Sequence, residues 1–382
     1  MKILIINSEY PPIGGGAGNA SANLAQRFAA SGHEVTVLTA HFAESAALEV
    51  LDGVAVHRVS ALRRRRDRSG PLEQLVFILA AAFYSAKLAP RIKPNIVLAF
   101  FGMPSGAVAW LLKRRYQIPF IVSLRGGDVP GFRPYDFRLY HKMIAPALRL
   151  IWKEASAIVA NSEGLRELAR RFDSSVKISV IPNGVEASFF AVSKRSWGPA
   201  RLLSVGRVVH QKGFDLGLEA LAGLKDLNWE WSIAGDGPLT GRLQERARQL
   251  GLADRVHFLG WQSRQQLLAC YQEANLFLFP SRHEGMPNAL LEAMASGLPA
   301  VTTRIAGNEE LVVDSVTGIL VESENTESLR SALRSLLGEE QLRRKMGIAA
   351  RQKTEQKFSW ENSSVMYLKL LEKEGRNGLG LS

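Results

Sequence analysis

The chain has 382 residues, a formal net charge of +12, and 46% hydrophobic against 22% charged residues. That length suits two domains rather than one core, and that composition excludes a disordered or fibrous chain. One cysteine, Cys270, excludes an intrachain disulfide framework and a cysteine zinc site, and none of the seven histidines falls in an HExxH spacing.

The first residues, Met1 to Asn7, hold an apolar stretch too short for a signal peptide and read as a buried strand, Ile3–Asn7. A helix is expected over Gly18–Ser31, then strands at Glu34–Thr39 and Val54–Val59. A long apolar segment, Leu72 to Ala89, precedes a strand at Ile96–Phe100, a helix at Pro104–Arg115 and strands at Phe120–Leu124, Ala157–Asn161 and Lys177–Ile181. The pattern restarts at Arg201–Gly206. Strands follow at Trp229–Ala234, Val256–Leu259, Leu276–Phe279, Pro299–Thr302 and Gly318–Val321. Helices are expected between them at Gly213–Leu224, Leu239–Leu250, Gln262–Cys270 and Ala289–Ala295. From Glu327 to Lys373 the chain reads as helical, broken at Phe358-Ser359-Trp360. Strands alternating with helices predict parallel sheets covered on both faces. Ser, Lys, Trp and Gly-Pro between Ala187 and Gly198 mark the boundary between two such units. Domains are therefore expected at 1–190 and 191–360, with a C-terminal helix and tail at 361–382 returning to the first. No run of about 18 uncharged apolar residues occurs, so no transmembrane helix is expected.

Charge is unevenly placed. Up to Val192 there are 24 Lys/Arg against 14 Asp/Glu; the remainder has 24 against 22. The first half should therefore meet an anionic partner. Arg63-Arg64-Arg65-Arg66-Asp67-Arg68 lies just before the apolar segment, a combination suited to an anionic membrane surface, or else a solvated loop beside a core helix. Arg133 to Lys153 also mixes cations with Phe, Tyr, Leu and Trp. No nucleic-acid module is visible, and no nucleic-acid partner is expected.

Candidate chemistry lies in three places. Gly14-Gly15-Gly16 joins the first strand to its helix and reads either as a ligand loop or as a tight turn. A dinucleotide fingerprint fails on spacing and on the missing acid after Val37-Leu38-Thr39, and a Walker loop fails for want of Gly-Lys-Ser/Thr. Gly206-Arg207 ends a strand and Lys212-Gly213 follows five residues later, a cation pair suited to gripping a diphosphate, or else solvated loop charge. Next, Arg282-His283-Glu284-Gly285-Met286-Pro287-Asn288-Ala289-Leu290-Leu291-Glu292 follows a buried strand. Asn288 can cap the helix there, its opening amides favour phosphate, and Glu284 and Glu292 can accept bonds from sugar hydroxyls.

In this order the motifs resemble the family-4 retaining glycosyltransferases. They are Gly14-Gly15-Gly16, Ile181-Pro182-Asn183-Gly184-Val185, Arg207 with Lys212, Gly235-Asp236-Gly237-Pro238 and Glu284 with Glu292. The resemblance implies an α/β GT-B fold, two Rossmann-like domains facing each other across a deep cleft, with the acceptor on the first and a nucleotide-sugar on the second. It implies catalytic roles for Arg207, Lys212 and Glu284. Substrate contacts would come from Gly15, Gly16, Arg125, Asp128, Asn183, Gly206, Gly235, Asn288, Ala289, Leu290 and Glu292. It also implies no metal and no cofactor beyond the donor, with UDP favoured over GDP. Where many members have His-Gly, this chain has Arg125-Gly126-Gly127-Asp128. Arginine is no general base near neutrality, so Arg125 is expected on a phosphate or sugar, with Asp128 orienting the acceptor or meeting Arg125. His33, His41, His57 and His257 read as structural or surface residues. The acceptor expected is a lipid-linked or cell-surface glycan, reached at the inner face of the membrane from a reducing cytoplasm. A soluble transferase making a small glycoside and a non-catalytic nucleotide-sugar-binding protein are the alternatives.

Overall fold

The computed structural model describes residues 1–65, 69–132, 134–190 and 200–378. Arg66, Asp67, Arg68 and Arg133, and residues 191–198 of the expected boundary, lie outside these. The chain forms two compact units, Met1–Asn183 with the segment from Trp360 onward, and Gly184–Ser359. The division thus falls earlier than the composition change suggests.

The first unit runs β1 (Lys2–Ile6), α1 (Gly16–Ala30), β2 (Glu34–Ala40), β3 (Leu48–Leu51), β4 (Val54–Val59), α2 (Pro71–Ile92) and β5 (Ile96–Phe100). It continues with α3 (Gly106–Tyr116), β6 (Phe120–Leu124), α4 (Pro134–Glu154), β7 (Ala157–Ala160), α5 (Glu163–Phe172) and β8 (Ile178–Val180). The strand order is β3-β4-β2-β1-β5-β6-β7-β8, parallel except for β3 against β4. Alternate residues of each strand feed two cores, because side chains point to opposite faces with period two. Leu4 and Ile6 pack with Phe77 and Ala81 of α2, while Ile3 and Ile5 pack with Leu24 and Phe28 of α1.

The second unit runs β9 (Ala200–Val205), α6 (Phe214–Ala222), β10 (Trp229–Ala234), α7 (Thr240–Gln249), β11 (Val256–Gly260), α8 (Arg264–Glu273) and β12 (Leu276–Phe279). It continues with α9 (Asn288–Ala295), β13 (Ala300–Thr303), α10 (Ala306–Glu309), β14 (Gly318–Val321), α11 (Thr326–Gly338) and α12 (Glu340–Lys357). Its sheet is parallel, ordered β11-β10-β9-β12-β13-β14. A last helix, α13 (Trp360–Gly378), belongs to the first unit. Its Trp360, Tyr367 and Leu371 are buried in the Ile3–Phe28 core, and its Glu361 pairs with Arg27 of α1 at 2.8 Å.

Four elements have no counterpart among those expected: β3, α4, α5 and α10. β3 is four residues long with Leu48 and Val50 exposed, so it lacks an apolar run and exists by pairing with β4. α5 is rich in charge but begins at a Ser162 cap that accepts the Leu165 amide at 3.1 Å. By length and composition alone, α2 is the one helix among the described residues long and apolar enough to cross a membrane. Phe77, Ala81, Ser85, Leu88 and Ala89 on its inner side are nonetheless buried against the sheet.

Candidate functional site

Each sheet has a switch point, where the chain leaves neighbouring strands in opposite directions and opens a crevice at their carboxyl ends. In the second unit it lies between β9 and β12. The loop after β9 carries Gly206, Arg207 and Lys212, and the loop after β12 carries Glu284. Residues separated by more than 70 positions thereby become neighbours. Lys212 Nζ donates to Glu284 Oε1 at 2.6 Å, with side-chain exposures of 15% and 9%. The Phe279 ring centroid lies 4.8 Å from the same ammonium. Two of the three groups expected to be catalytic, Lys212 and Glu284, are therefore an ion pair.

Glycines make this approach possible. Gly206 (φ +150°) lies against Lys212, whose Cε would be 3.0 Å from an added Cβ. Gly213 (φ +65°) ends the 3-10 turn His210–Lys212, and a Cβ there would stand 2.0 Å from the Pro280 carbonyl oxygen. Gly235 (φ +146°) is equally confined, since its Cβ would lie 2.0 Å from the Gly206 carbonyl oxygen. Gly235→Ala should therefore cost about 2–3 kcal/mol or more through overpacking and a strained φ. A denaturant midpoint equal to that of the parent chain would show that the two loops part freely.

Arg282, named in the motif but given no role, organises the pair. Its guanidinium is held bidentately by Asp215 at 2.8 Å on both nitrogens, bonds both oxygens of Glu324, and donates to the His210 carbonyl at 2.8 Å. The Arg282 amide donates to the Gln211 carbonyl at 2.8 Å, and Gln211 Nε2 donates to the His283 carbonyl at 2.6 Å. The turn bearing Lys212 is thus stapled to the loop bearing Glu284. Burial alone would lower the Arg282 pKa, but the bonds to Asp215 and Glu324 raise it beyond the ordinary arginine value. Burial alone would raise Asp215, but the Arg282 hydrogen bonds and charge hold it below its usual range. A basic residue beside the Glu284 motif was the only sequence signal, and it did not reveal the partners.

The opening of α9 differs from expectation. Pro287, not Asn288, is the N-cap residue, and no side chain caps the helix. Proline precedes the first turn and Asn288 is already helical. The Leu290 amide donates to the Pro287 carbonyl at 3.2 Å, which removes it from the expected anion cradle and leaves Asn288 and Ala289 at the helix opening. Further along α9, Glu292 is partly exposed, and Tyr271 donates its hydroxyl to Oε2 at 2.9 Å. Burial pushes the Glu292 carboxyl up to about 7, against the lowering effects of Tyr271 and Arg264.

In the first unit Gly14 takes φ +94°, and a Cβ would meet Glu9 at 2.7 Å, while Gly15 has open space around it. Gly16 begins α1, two residues earlier than expected. Asn7 shapes this loop, donating to Ser21 at 2.8 Å and accepting the Glu9 amide at 3.0 Å.

Arg125 and Asp128 do adjoin each other, through a backbone hydrogen bond as well as opposite charge. Asp128 is buried and accepts the amides of Arg125 at 2.9 Å and Gly102 at 2.7 Å. Burial pushes its carboxyl up, and those amides oppose the shift. The Arg125 guanidinium donates to Asn183 Oδ1 at 2.7 Å and to the Tyr367 hydroxyl at 3.3 Å, and lies 4.4 Å from the Phe100 ring centroid. It binds together the end of β6, the last residue before the chain leaves this unit, and α13. Of the histidines, His33 faces the N-terminal amine at 3.1 Å and His57 the Tyr84 hydroxyl at 2.8 Å. Among the described residues no group of three or more His, Cys, Asp or Glu could hold a metal ion.

The Arg63 side chain is 1% exposed, turned inward to pair with Glu9 at 3.7 Å, so it offers no charge to a surface. Arg64 and Arg65 are exposed.

Comparison with known proteins agrees with this construction. A model described as Glycosyltransferase Family 4 matches residues 14–189, and one described as Glycosyl transferases group 1 matches residues 186–353. The amylovoran biosynthesis glycosyltransferase AmsK of Erwinia amylovora is 30% identical, covering 73% of this chain and 69% of AmsK. Glycogen synthase of Mycobacterium tuberculosis is 27% identical over 94% of this chain and 92% of its own length. The solved structure of HepE from Anabaena in complex with UDP-glucose shares the fold, with a TM-score of 0.78 and 19% identity over 98% of this chain and 100% of that one. With its two α/β units of parallel sheet, the chain has the GT-B fold and belongs to the family-4, group-1 glycosyltransferases, enzymes that transfer sugar from nucleotide-sugar donors.

Proposed function

We propose that this enzyme is a retaining, metal-independent transferase that moves a sugar from a UDP-sugar to a lipid-linked or cell-surface glycan at the cytoplasmic face of a membrane. The observation that carries the donor reading is the Lys212–Glu284 pair at the β9–β12 switch point, beside Gly206 and Arg207. A diphosphate entering there offers Lys212 more negative charge than one carboxylate does. Lys212 exchanges partners, and with Arg207 it neutralises the charge that grows as the sugar leaves. Glu284, released, accepts hydrogen bonds from the transferred sugar. Two side-chain cations take the place a divalent ion would otherwise fill. The helix opening at Asn288 and Ala289 supports phosphate, and Glu292 accepts from the ribose.

UDP is favoured over GDP because a protein of the same fold is described with UDP-glucose bound. A membrane-borne acceptor is favoured by the apolar outer side of α2, where Leu72, Leu75, Leu79 and Phe83 are exposed. The full-length likeness to glycogen synthase favours a second reading, a soluble glucan acceptor.

Thermal unfolding across UDP-, GDP- and ADP-sugars tests the donor. A UDP-sugar at 100 times its Kd should stabilise the protein by about 2.7 kcal/mol. No shift with any sugar nucleotide would sink the donor site. The same titration against pH tests Glu292. Its folded carboxyl titrates near 7, above its ordinary 4.5. The protonated form therefore stabilises the fold below the ordinary value, and that contribution is lost as pH rises towards 7. Donor binding runs the other way, because a ribose hydroxyl donates to the ionised carboxylate. Affinity should rise by up to about tenfold per pH unit on approaching 7. Glu292→Gln should flatten this profile; an unchanged slope would remove Glu292 from the ribose site.

A further inference from the structure

Two groups bear on the Glu292 carboxylate, and both come from α8: the Tyr271 hydroxyl and the Arg264 charge. Among the described residues Tyr271 is its one side-chain hydrogen-bond partner, at 2.9 Å on Oε2, which leaves Oε1 for a ligand. Arg264 acts only through its field, because its guanidinium is bound to Glu186 and lies 3.9 Å from the Phe189 ring centroid. A glutamate at the edge of solvent has several rotatable bonds and would sweep a wide arc if nothing held it.

The group that holds it is rigid. Tyr271 is fully buried. Its ring meets Phe190 edge-on at 5.6 Å and lies 6.1 Å from Phe277, which stacks on Phe279 at 5.5 Å. The Phe279 ring is the one 4.8 Å from the Lys212 ammonium. A continuous row of packed rings therefore runs from the cation expected on the diphosphate to the carboxylate expected on the ribose. The start of α8 is fixed as well, by the capping box of Ser263 and Gln266.

The hydroxyl has one hydrogen and two acceptors in reach, Glu292 Oε2 at 2.9 Å and the Ala289 carbonyl oxygen at 3.2 Å. With Glu292 ionised, the hydrogen goes to the carboxylate. With Glu292 protonated, the carboxyl donates to the Tyr271 oxygen and the tyrosine hydrogen turns to Ala289. A phenol thus satisfies both states without leaving a buried polar atom bare. Burial and the Glu292 charge hold Tyr271 well above its ordinary value, so it stays a donor in either state.

We infer that Tyr271 is the positioning residue for the ribose end of the donor: its hydroxyl anchors Glu292 Oε2 so that Oε1 meets the vicinal ribose hydroxyls. This role rests on Glu292 being the ribose acceptor, and it adds the group that keeps that acceptor in place. The row of rings makes the spacing between ribose and diphosphate contacts a property of the core rather than of a mobile side chain.

The test is calorimetric binding of UDP and of 2′,3′-dideoxy-UDP to the full chain, to Tyr271→Phe, to Glu292→Gln and to the double variant. The phosphates titrate alike in both nucleotides, so the ratio of their affinities isolates the ribose contact. In the parent chain that ratio should favour UDP, increasingly so as pH rises towards 7, where Glu292 ionises. Tyr271→Phe keeps the ring and should cut UDP affinity about tenfold, with the dideoxy nucleotide unchanged. The lost bond is one that lowers Glu292, so the pH at which the preference develops should move upward. The double variant should match Glu292→Gln alone, because the hydroxyl then has no carboxylate to orient. Equal weakening of both nucleotides by Tyr271→Phe would overturn the inference and make the hydroxyl a support of α9 through Ala289. A preference kept in Tyr271→Phe but lost in Glu292→Gln would also overturn it, with the ribose reading intact. A preference kept in Glu292→Gln would remove the ribose reading itself, and the role of Tyr271 with it.

Discussion

Lys212→Ala should lower kcat/KM by about 10³ or more and destabilise the fold by about 3 kcal/mol. The first effect follows from removing a cation aimed at developing diphosphate charge. The second follows from the ion pair at 2.6 Å, because its loss leaves Glu284 mostly buried without its cation. Glu284→Gln should be gentler on the fold, since a neutral amide still accepts from Lys212, yet transfer should fall by about 10² or more. The double variant, Lys212→Met with Glu284→Gln, decides between the two roles. Stability should return towards that of the parent chain, because neither charge is left buried alone, while transfer remains lost. Recovery of both would make the pair structural. Loss of stability without loss of transfer would place the diphosphate elsewhere.

Arg282→Lys should damage transfer more than its formal conservation of charge suggests. One ammonium cannot meet Asp215, Glu324 and the His210 carbonyl at the angles a guanidinium fork provides. The 3-10 turn should then drift from the loop after β12, taking Lys212 away from Glu284. kcat should fall by about 10²-fold, as for other misplaced reacting groups. The stability loss should be smaller, because Asp215 and Glu324 are 45% and 57% exposed and water can take over their solvation. Glu324→Gln supplies the contrast, since Glu324 has no bond to the turn and its loss should leave kcat nearly intact. Equal falls in both variants would reduce Arg282 to a general support of the fold. The Asp215 part of this stability is present at neutral pH. It is lost as acid brings the medium down through the lowered folded pKa, so the parent chain should resist acid further than Arg282→Lys does.

The spacing of Arg207 and Lys212 after a strand, and of Glu284 after another, pointed to two loops with complementary charge. That β9 and β12 are adjacent, so that these loops meet, is a matter of strand order and is written in no local window. The Gly235-Asp236-Gly237-Pro238 turn was visible as a turn, but its reason is the Gly206 carbonyl oxygen 2.0 Å from where a Cβ would stand. Arg125 illustrates the limit more sharply. Its position after β6 suggested a ligand contact, yet its partners Asn183 and Tyr367 come from segments 58 and 242 residues away. Arg63 reads like its neighbours in a run of arginines, and only the nearby Glu9 turns it inward.

The class of the fold and the types of chemistry available are carried by local patterns along the chain. Short, nearly continuous apolar runs alternating with helical segments fit parallel sheets covered on both faces, and that signal is local. Cations and carboxylates at the ends of such runs name their possible ligands. Only the three-dimensional arrangement sets which charges neutralise each other and which helix sides stay uncovered. Those outcomes depend on strand order and burial. A charge finds its partner across the sheet rather than along the chain, and its energy depends on how much water reaches it there.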